Sequence, residues 1–348
     1  MKKIFISGGS GYLALHCIKM AIEKGYQVKT SVRNESKKVE VLNSIKKYLK
    51  KPEDLEFCFL DLLKDEGWEE SMMGFDILIH TASPFPFKQP KNEQDLIKPA
   101  VDGTLRALNA AKKANINRVI ITASVASIAF GHNKKNITVS HKDWTNTNSL
   151  KGVDAYMKSK TFAEKVAWEF VNKDENASMK LTTIHPSGIF GAPLGKNISG
   201  TSMNFIEQFI TGKIPACPNI TFGFVDVKDV AKLHIESLTK PESENKRIIC
   251  SYSEPIEMLE VAKFLRESGF NKAPSKKLPD FIVKMMALIS SDMKSMKTYL
   301  GVKTIFDTSQ TKEIFDWNPI SIKETIVESG MAVKKILEKK AKKGLVFD

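Results

Sequence analysis

The stretch that decides the fold is Lys3-Ile-Phe-Ile-Ser-Gly-Gly-Ser-Gly-Tyr-Leu-Ala14. Its first residues are mostly apolar, as in a buried strand, and its glycines stand where that strand would turn into a helix. Gly8 permits a tight turn, Gly11 lets the backbone approach a pyrophosphate, and the small Ala14 lets helix and strand pack closely. The N–H groups at the start of such a helix can bind an anion. The stretch therefore predicts a dinucleotide-binding βα turn, although glycine-rich turns also occur as simple connections.

Short apolar runs alternate with amphipathic segments through the first half of the chain. The predicted strands are Lys3–Ser7, Gln27–Val32, Leu55–Leu60, Phe75–Thr81, Arg118–Thr122, Leu181–His185 and a short one around Phe222–Val225. Helices are predicted near residues 11–24, 36–50, 65–73, 92–114, 153–174 and 227–239. Strands that are apolar throughout are buried on both faces, which is typical of a parallel sheet between layers of helices. The predicted fold class is therefore α/β, with a doubly wound parallel sheet of the Rossmann type.

Loops rich in glycine and proline follow Pro186 and interrupt the alternation. We therefore predict two parts. Residues 1–186, together with 222–240, form a cofactor-binding Rossmann domain. Residues 187–221 and 241–348 form a smaller substrate-binding lobe over the carboxyl ends of the strands.

Composition excludes several other classes of protein. The net charge of +13 comes from lysines spread along helical faces rather than interleaved with aromatic residues, which favours a solvated surface over nucleic-acid binding. No apolar stretch reaches the roughly 20 residues that a membrane-spanning helix needs, and the start does not resemble a signal peptide. The cysteines lack zinc-site spacing and give no disulfide framework: Cys17, Cys58, Cys217 and Cys250. We expect no metal and a reducing, cytoplasmic location.

The end of the second strand suggests which dinucleotide binds. In this fold an acid at that position binds the 2′-hydroxyl of NAD, whereas arginine accommodates the 2′-phosphate of NADP. Arg33 stands there, and Lys37 follows one helical turn later. A guanidinium group binds phosphate through two parallel hydrogen bonds. NADP(H) is therefore the predicted cofactor. Asp61 and Leu62, after the third strand, either contact the adenine ring or cap the next helix.

A pair of side chains on the long helix predicts the chemistry. Tyr156 and Lys160 are four residues apart, so they share one helix face. A nearby ammonium group favours the phenolate and would tune tyrosine for acid–base catalysis. Ser124 follows the fifth strand at the carboxyl edge of the sheet, where its hydroxyl could polarise a carbonyl group. Ser124 could instead cap the following segment, and Ser127 is a competing candidate.

The glycine turn and the helix motif resemble the short-chain dehydrogenase/reductase superfamily in its extended form. Further segments resemble its dihydroflavonol reductase, cinnamoyl-CoA reductase and yeast methylglyoxal (aldehyde) reductase branch: Val32-Arg33, His80-Thr-Ala-Ser-Pro84, Ala155–Trp168 and Phe224–Ala231. The resemblance implies that Tyr156 donates the proton, that Lys160 lowers its pKa and binds the nicotinamide ribose, and that Ser124 polarises the carbonyl. It also implies that Pro186 to Ile189 lie beside the nicotinamide and Ser202 near the pyrophosphate. In this chain Ala14 replaces the third glycine.

These arguments give two sets of candidate residues besides the catalytic Ser124, Tyr156 and Lys160. The predicted cofactor-binding residues are Gly8, Gly11, Tyr12, Leu13, Arg33, Lys37, Asp61, Leu62, Thr81, Ala82, Ser83, Tyr156, Lys160, Pro186, Ile189 and Ser202. The candidates for the substrate pocket are Phe85, Phe87, Phe130, Met157, Ile189, Met203 and Phe205.

The predicted function is reduction of a small-molecule aldehyde or ketone to an alcohol. The carbonyl carbon receives hydride from C4 of the nicotinamide of NADPH, and the oxygen receives a proton from Tyr156. Two other classes stay open: an NAD-dependent nucleotide-sugar epimerase or 3β-hydroxysteroid dehydrogenase-like enzyme, and a non-catalytic protein that senses the cofactor. The sequence is compatible with a monomer or a homodimer, and it predicts neither a nucleic-acid nor a membrane partner.

Overall fold

The computed structural model describes residues 2–49, 51, 54–84, 90–132, 134–149, 152–196, 198, 200–288 and 296–344. In chain order the strands are β1 Lys3–Ser7, β2 Gln27–Val32, β3 Leu55–Phe59, β4 Ile77–His80, β5 Arg118–Thr122, β6 Asn136–Val139, β7 Lys180–Pro186, β8 Gly188–Phe190, β9 Cys217–Pro218, β10 Thr221–Phe222, β11 Phe224–Asp226, β12 Lys246–Cys250, β13 Ile256–Glu257, β14 Lys277–Leu278 and β15 Lys303–Phe306. The α-helices are α1 Tyr12–Glu23, α2 Glu35–Ile45, α3 Trp68–Met72, α4 Gln94–Lys113, α5 Ala155–Val171, α6 Thr201–Thr211, α7 Val227–Glu236, α8 Met258–Glu267, α9 Asp280–Met286, α10 Ser309–Phe315 and α11 Ile322–Gly344.

A seven-stranded parallel sheet forms the centre of the molecule, in the order β3-β2-β1-β4-β5-β7-β12. Its inner strands are buried because their apolar side chains point to both faces; all four residues of β4 are buried. The chain proceeds outward from β1 on one side and returns through β4 on the other. Ligands bind at the carboxyl ends of the strands beside such a reversal of strand order. The predicted Rossmann-type fold is confirmed.

Two apolar layers cover the sheet. One face packs against α1 and α7, with Ile18 and Leu233 among the fully buried side chains. The other face packs against α4 and α5, with Leu108 and Ala167 fully buried. This second layer fixes the position of α5 against the sheet, and α5 carries the predicted catalytic pair.

A smaller lobe has its own core, built around Phe209, Val261 and Ile326 from α6, α8 and α11. Short two-stranded sheets belong to this part: β8 pairs with β11, β10 with β13, and β9 with β14. The pair formed by β6 and β15 joins a segment near residue 137 to one near residue 304.

The structure departs from the sequence predictions at two strands. The strand predicted around Phe222–Val225 is divided at Gly223, where a side chain would lie 2.7 Å from Phe306 Cε2, and its two halves pair outside the main sheet. The segment Lys246–Cys250, which the predicted division placed in the smaller lobe, instead pairs with β7 as the edge of the main sheet. Ile248, Ile249 and Cys250 are buried there.

Candidate active site

The glycine turn between β1 and α1 is too tightly packed for side chains. Gly8 has φ +74°, and a Cβ atom there would lie 2.9 Å from Ala82 Cα. A Cβ atom on Gly9 would lie 2.1 Å from Thr30 Oγ1. Gly11 then precedes α1 without a side-chain cap, which leaves the N–H groups of the first turn open to an anionic ligand.

The first turn of α1, which follows the glycine turn, packs firmly against the rest of the protein. Leu13 and Ala14 are buried in the core of the α1 face. Tyr12 is partly buried, and its hydroxyl donates a hydrogen bond to the Gly191 carbonyl oxygen at 2.8 Å. Ile189 packs against the same core, and Pro186 ends the buried strand β7. The turn is therefore held against the segment that follows β7.

Arg33 and Lys37 differ in their partners. Arg33 is exposed at the end of β2, and its guanidinium group forms no hydrogen bond or ion pair with the residues that the structure describes. Lys37 lies in the first turn of α2 and forms an ion pair with Glu40 at 2.6 Å. Arg33 is therefore the more available of the two cations for a phosphate group.

Asp61 does not cap the next helix, α3, whose N-cap is Gly67; its Oδ1 instead accepts a hydrogen bond from Leu63 N at 3.0 Å within a local turn. Leu62 packs against the α4 face of the sheet. The adenine contact of these two residues stays a prediction.

Ser83 connects the end of β4 to α5, the helix that carries Tyr156 and Lys160. The turn begins at Ser7, whose Oγ accepts hydrogen bonds from Thr81 N at 3.1 Å and Ala82 N at 3.2 Å. Ser83 Oγ then accepts a hydrogen bond from Lys160 Nζ at 2.9 Å. The residues 81–83 therefore lie between the glycine turn and Lys160.

Tyr156 and Lys160 lie on adjacent turns of α5, with Lys160 Nζ 5.9 Å from the centre of the Tyr156 ring. Burial lowers the pKa of Lys160 to about 8. Burial also raises the pKa of Tyr156 to about 12, although its hydrogen bond with Ser124 acts in the opposite direction. The expected lowering of the Tyr156 pKa is therefore not found in the protein alone. The phenol stays protonated at neutral pH and can act as an acid.

Ser124 is hydrogen-bonded both to the backbone and to Tyr156. Its Oγ accepts a hydrogen bond from Ala126 N at 3.1 Å and so caps a short 3₁₀ helix, Val125–Ser127. The same side chain forms the hydrogen bond with Tyr156. The competing Ser127 is fully buried, and its hydroxyl lies 2.5 Å from Glu164 Oε2. Ser124 rather than Ser127 therefore stands beside the phenol.

A cavity of about 680 Å³ begins at Val125, the residue after Ser124; Ser124, Tyr156 and Lys160 themselves are not among its described lining residues. Val125 and Ala129, which follow Ser124, line it together with Ser187 and Gly188, which follow β7. Its aromatic wall consists of Phe130, Phe190, Phe205, Phe222, Tyr299 and Phe306. Such a cavity suits a ligand with a substantial apolar part.

The predicted pocket residues are only partly brought together. Phe130 and Phe205 line the cavity, and so does Ser202, whose assignment to the pyrophosphate stays a prediction. Met203 is buried in the core of the smaller lobe, and Met157 is buried on α5 away from the cavity lining. Phe85 and Phe87 lie outside the described residues.

Sequence reasoning missed the far wall of the cavity and the partners of Glu164. Phe222, Tyr299 and Phe306 lie far along the chain from the motif, and no spacing links them to it. Glu164 had a usable signal, because it continues the four-residue step from Tyr156 and Lys160 along one face of α5.

The described residues contain no group of three or more His, Cys, Asp or Glu side chains arranged to hold a metal ion. Among the helices in the described ranges, none is long and apolar enough to cross a membrane.

The fold and the site define a dinucleotide-binding α/β protein of the short-chain dehydrogenase/reductase type. The chain belongs to the NAD dependent epimerase/dehydratase family, whose model matches residues 4–250. Cinnamoyl-CoA reductase of Medicago truncatula is 33% identical over 283 residues, which are 80% of this chain and 82% of that protein. The NADPH-dependent methylglyoxal reductase of Saccharomyces cerevisiae is 27% identical over 349 residues, covering 95% and 98% of the two proteins.

A solved structure supports the same relationship. Yeast methylglyoxal/isovaleraldehyde reductase complexed with NADPH aligns with a TM-score of 0.79 and 25% identity, covering 97% of this chain and 99% of that one. The resemblance stated from the sequence motifs, to the extended short-chain reductases of this branch, is confirmed.

Proposed function

We propose that this chain reduces the carbonyl group of an aldehyde or ketone to an alcohol with NADPH. The observation that carries the proposal is the hydrogen bond between Ser124 and Tyr156, with Lys160 one helical turn away, at the carboxyl edge of the parallel sheet. The relatives named above are a methylglyoxal reductase that depends on NADPH and a cinnamoyl-CoA reductase.

The residues present fit a phosphorylated dinucleotide. The turn at Gly8 and Gly9 packs too closely on Ala82 and Thr30 to admit side chains, and the first turn of α1 has no side-chain cap, so backbone N–H groups face an anionic ligand there. Arg33 supplies an uncommitted guanidinium group where the fold places the adenosine ribose. When bound, NADPH supplies the hydride.

The chain's own residues handle the proton. Tyr156 is protonated at neutral pH, so its hydroxyl can donate to the oxygen of a carbonyl group as negative charge develops there. Ser124 Oγ accepts a hydrogen bond from Ala126 N, and its hydroxyl proton can be donated to the same carbonyl oxygen when the substrate binds. Lys160 adds positive charge nearby and is oriented by Ser83. These groups stabilise the alkoxide before protonation completes the reaction.

The cavity has room for a substrate larger than a three-carbon dicarbonyl. The aromatic wall and the volume of about 680 Å³ favour a carbonyl compound with an apolar or aromatic body. Arg33 favours NADPH over the NAD expected of an epimerase, and a protein that only sensed the cofactor would have no use for Ser124, Tyr156 and Lys160 together. The unpaired cysteines, three of them buried, are consistent with work in the reducing cytoplasm. For the assembly, the proposal stays with a monomer or homodimer.

The test is a comparison of Tyr156→Phe with the wild type across aldehydes, diketones and aryl ketones. We expect NADPH binding to stay within about twofold, while kcat falls by about 100-fold or more, the usual contribution of a positioned general acid. Oxidation of NADPH is followed by absorbance, and cofactor affinity by fluorescence titration.

Tyr26→Phe is the matched control, because Tyr26 is a partly buried tyrosine in the core of the α1 face, remote from α5. It should retain wild-type kcat. Full activity of Tyr156→Phe, or the absence of carbonyl reduction by the wild type across the panel, would reject the proposed function.

A further inference from the structure

Glu164 is a buried carboxylate that the proposed reaction does not use. It lies on α5 one turn beyond Lys160, and only 2% of its surface is exposed. Burying an anion is unfavourable unless hydrogen bonds and opposite charge compensate it. The partners that compensate Glu164 come from every element that carries a proposed catalytic residue.

Five side chains surround the carboxylate. Ser127 Oγ lies 2.5 Å from Oε2. His185 Nε2 lies 2.8 Å, Thr183 Oγ1 3.2 Å and Trp168 Nε1 3.1 Å from Oε1. The Arg247 guanidinium group donates to both oxygens, at 2.7 Å from Nε and 3.1 Å from Nη2. We call this group the Glu164 network: Ser127, Glu164, Trp168, Thr183, His185 and Arg247.

The Glu164 network is also linked to the segment that follows Ser124. Arg247 Nη1 donates hydrogen bonds to the carbonyl oxygens of His141 and Asp143, both at 2.7 Å, and its guanidinium group stacks on Trp144 at 3.8 Å. The next residue, Thr145, donates through N to the Ser127 carbonyl oxygen at 2.8 Å. Thr145 Oγ1 donates to the Ala126 carbonyl oxygen at 2.8 Å. The segment after Ser124 is therefore held from two sides.

We propose that Glu164 is a positioning residue that fixes Ser124 relative to Tyr156 and Lys160 through Ser127 and Arg247. The inference rests on the proposed function and deepens it. Ser127 Oγ also lies 2.8 Å from the Ser124 carbonyl oxygen, so its single hydroxyl proton is shared between that oxygen and the carboxylate. Glu164 is thereby linked to the residue that bears the polarising hydroxyl. Because Glu164 shares a helix with the catalytic pair, one rigid element sets both halves of the site.

The experiment uses the double-mutant cycle formed by Ser127→Ala and Ser124→Ala, with Glu164→Gln as a second perturbation of the network. We expect kcat to fall by about 10- to 100-fold in Ser127→Ala and Glu164→Gln, the loss that a misplacement of about 1 Å causes. The Kd of NADPH should change by less than about threefold, because the glycine turn is not part of the network. Ser124→Ala should then reduce kcat much less in the variants than in the wild type, since a misplaced hydroxyl has little left to contribute.

Arg118→Lys is the matched control for a purely structural effect. Arg118 is a partly buried cation at the opposite, amino end of the same sheet, where it donates to Thr182 Oγ1 at 2.8 Å, Ser243 Oγ at 2.9 Å and the Ser237 carbonyl oxygen. This control should lower the thermal midpoint while leaving kcat, measured well below that midpoint, within about twofold of wild type.

Three outcomes would overturn the proposal: unchanged kcat in folded Ser127→Ala, an equal effect of Ser124→Ala in all backgrounds, or loss of kcat in Arg118→Lys as large as in Ser127→Ala. If Glu164→Gln does not fold, the Ser127→Ala cycle decides alone. A wild-type protein that reduces no carbonyl compound, or is unaffected by Tyr156→Phe, refutes the proposed function instead of the positioning role.

Discussion

Burial shifts the pKa values of the two ionisable side chains proposed for catalysis in opposite directions. It disfavours the phenolate of Tyr156, so the proton that the reduction needs is present throughout the neutral range. It also disfavours the ammonium form of Lys160, whose pKa falls to about 8. Lys160 is therefore kept charged near neutrality at a cost in stability, as is usual for groups placed for function rather than for folding.

Lys160→Met should stabilise the cofactor-free protein at pH 7 by up to about 3 kcal/mol, which corresponds to lowering the lysine pKa from 10.5 to about 8. The unfolded chain binds this proton more tightly than the folded protein, so the wild type becomes relatively more stable as pH rises from about 8 to about 10.5. The gain from the substitution should shrink over that window, as measured by urea unfolding.

The control for this prediction is Lys158→Met, because Lys158 lies on the same helix and is ion-paired with Glu93 at 2.7 Å. Lys158→Met should not stabilise the protein at pH 7 by an amount that is then lost above pH 8. A Lys160→Met protein that is less stable than wild type at pH 7, or equally stabilised at every pH, would contradict the assigned cause.

Arg33→Ala should raise the KM for NADPH by about 10- to 100-fold, the effect of losing hydrogen bonds to a charged phosphate. The KM for NADH should change by less than about twofold, because NADH lacks the 2′-phosphate. Lys37→Ala serves as the comparison, and its smaller effect follows from the existing ion pair with Glu40. An equal rise in KM for NADPH and NADH would show that Arg33 does not bind the 2′-phosphate.

The cavity proposed for the substrate is lined by elements that lie far apart in the chain. The pairing of β6 with β15 brings the segment after Phe130 next to the one after Tyr299. The two rings meet edge to face, with their centres 6.3 Å apart. Substitutions in this aromatic wall can therefore alter the cavity without affecting α5, because α5 packs in a separate layer.

Tyr299→Ala should therefore raise the KM for a bulky aryl ketone by about tenfold, from the loss of apolar contact area, while leaving kcat nearly unchanged. The KM for a short aliphatic aldehyde should be almost unaffected, because it cannot reach the ring. Steady-state kinetics with both substrates tests the prediction. An equal rise for the two substrates would show that Tyr299 acts on the site as a whole.

At the scale of the whole molecule, the proposed site lies where the crevice at the edge of the sheet meets the cavity. Reversal of strand order between β1 and β4 opens a crevice at the carboxyl edge of the sheet, and the segment after Ser124 together with residues beyond Pro186 lines the cavity beside it. The excess of positive charge, +13, favours the approach of a polyanionic cofactor to the protein.

Local sequence determined the parallel sheet, the glycine turn and the spacing of Tyr156 and Lys160, because apolar runs, glycine conformations and helical periodicity act between near neighbours. Several strand limits, including those of β1, β2 and β5, agree with the sequence prediction. The domain division at residue 241 failed at β12 because a short strand with polar residues gives little sign of which sheet will accept it.

Only the tertiary structure decided which groups surround Tyr156 and Lys160. Packing raised the pKa of Tyr156 where neighbouring charge alone would lower it, because burial depends on all the layers that cover the side chain. It also distinguished Ser124 from Ser127, buried Met203, and brought Tyr299 and Arg247 to the site from more than eighty residues away. These contacts join residues that share no periodicity, so sequence spacing could determine the reaction class but not the cavity or the network behind it.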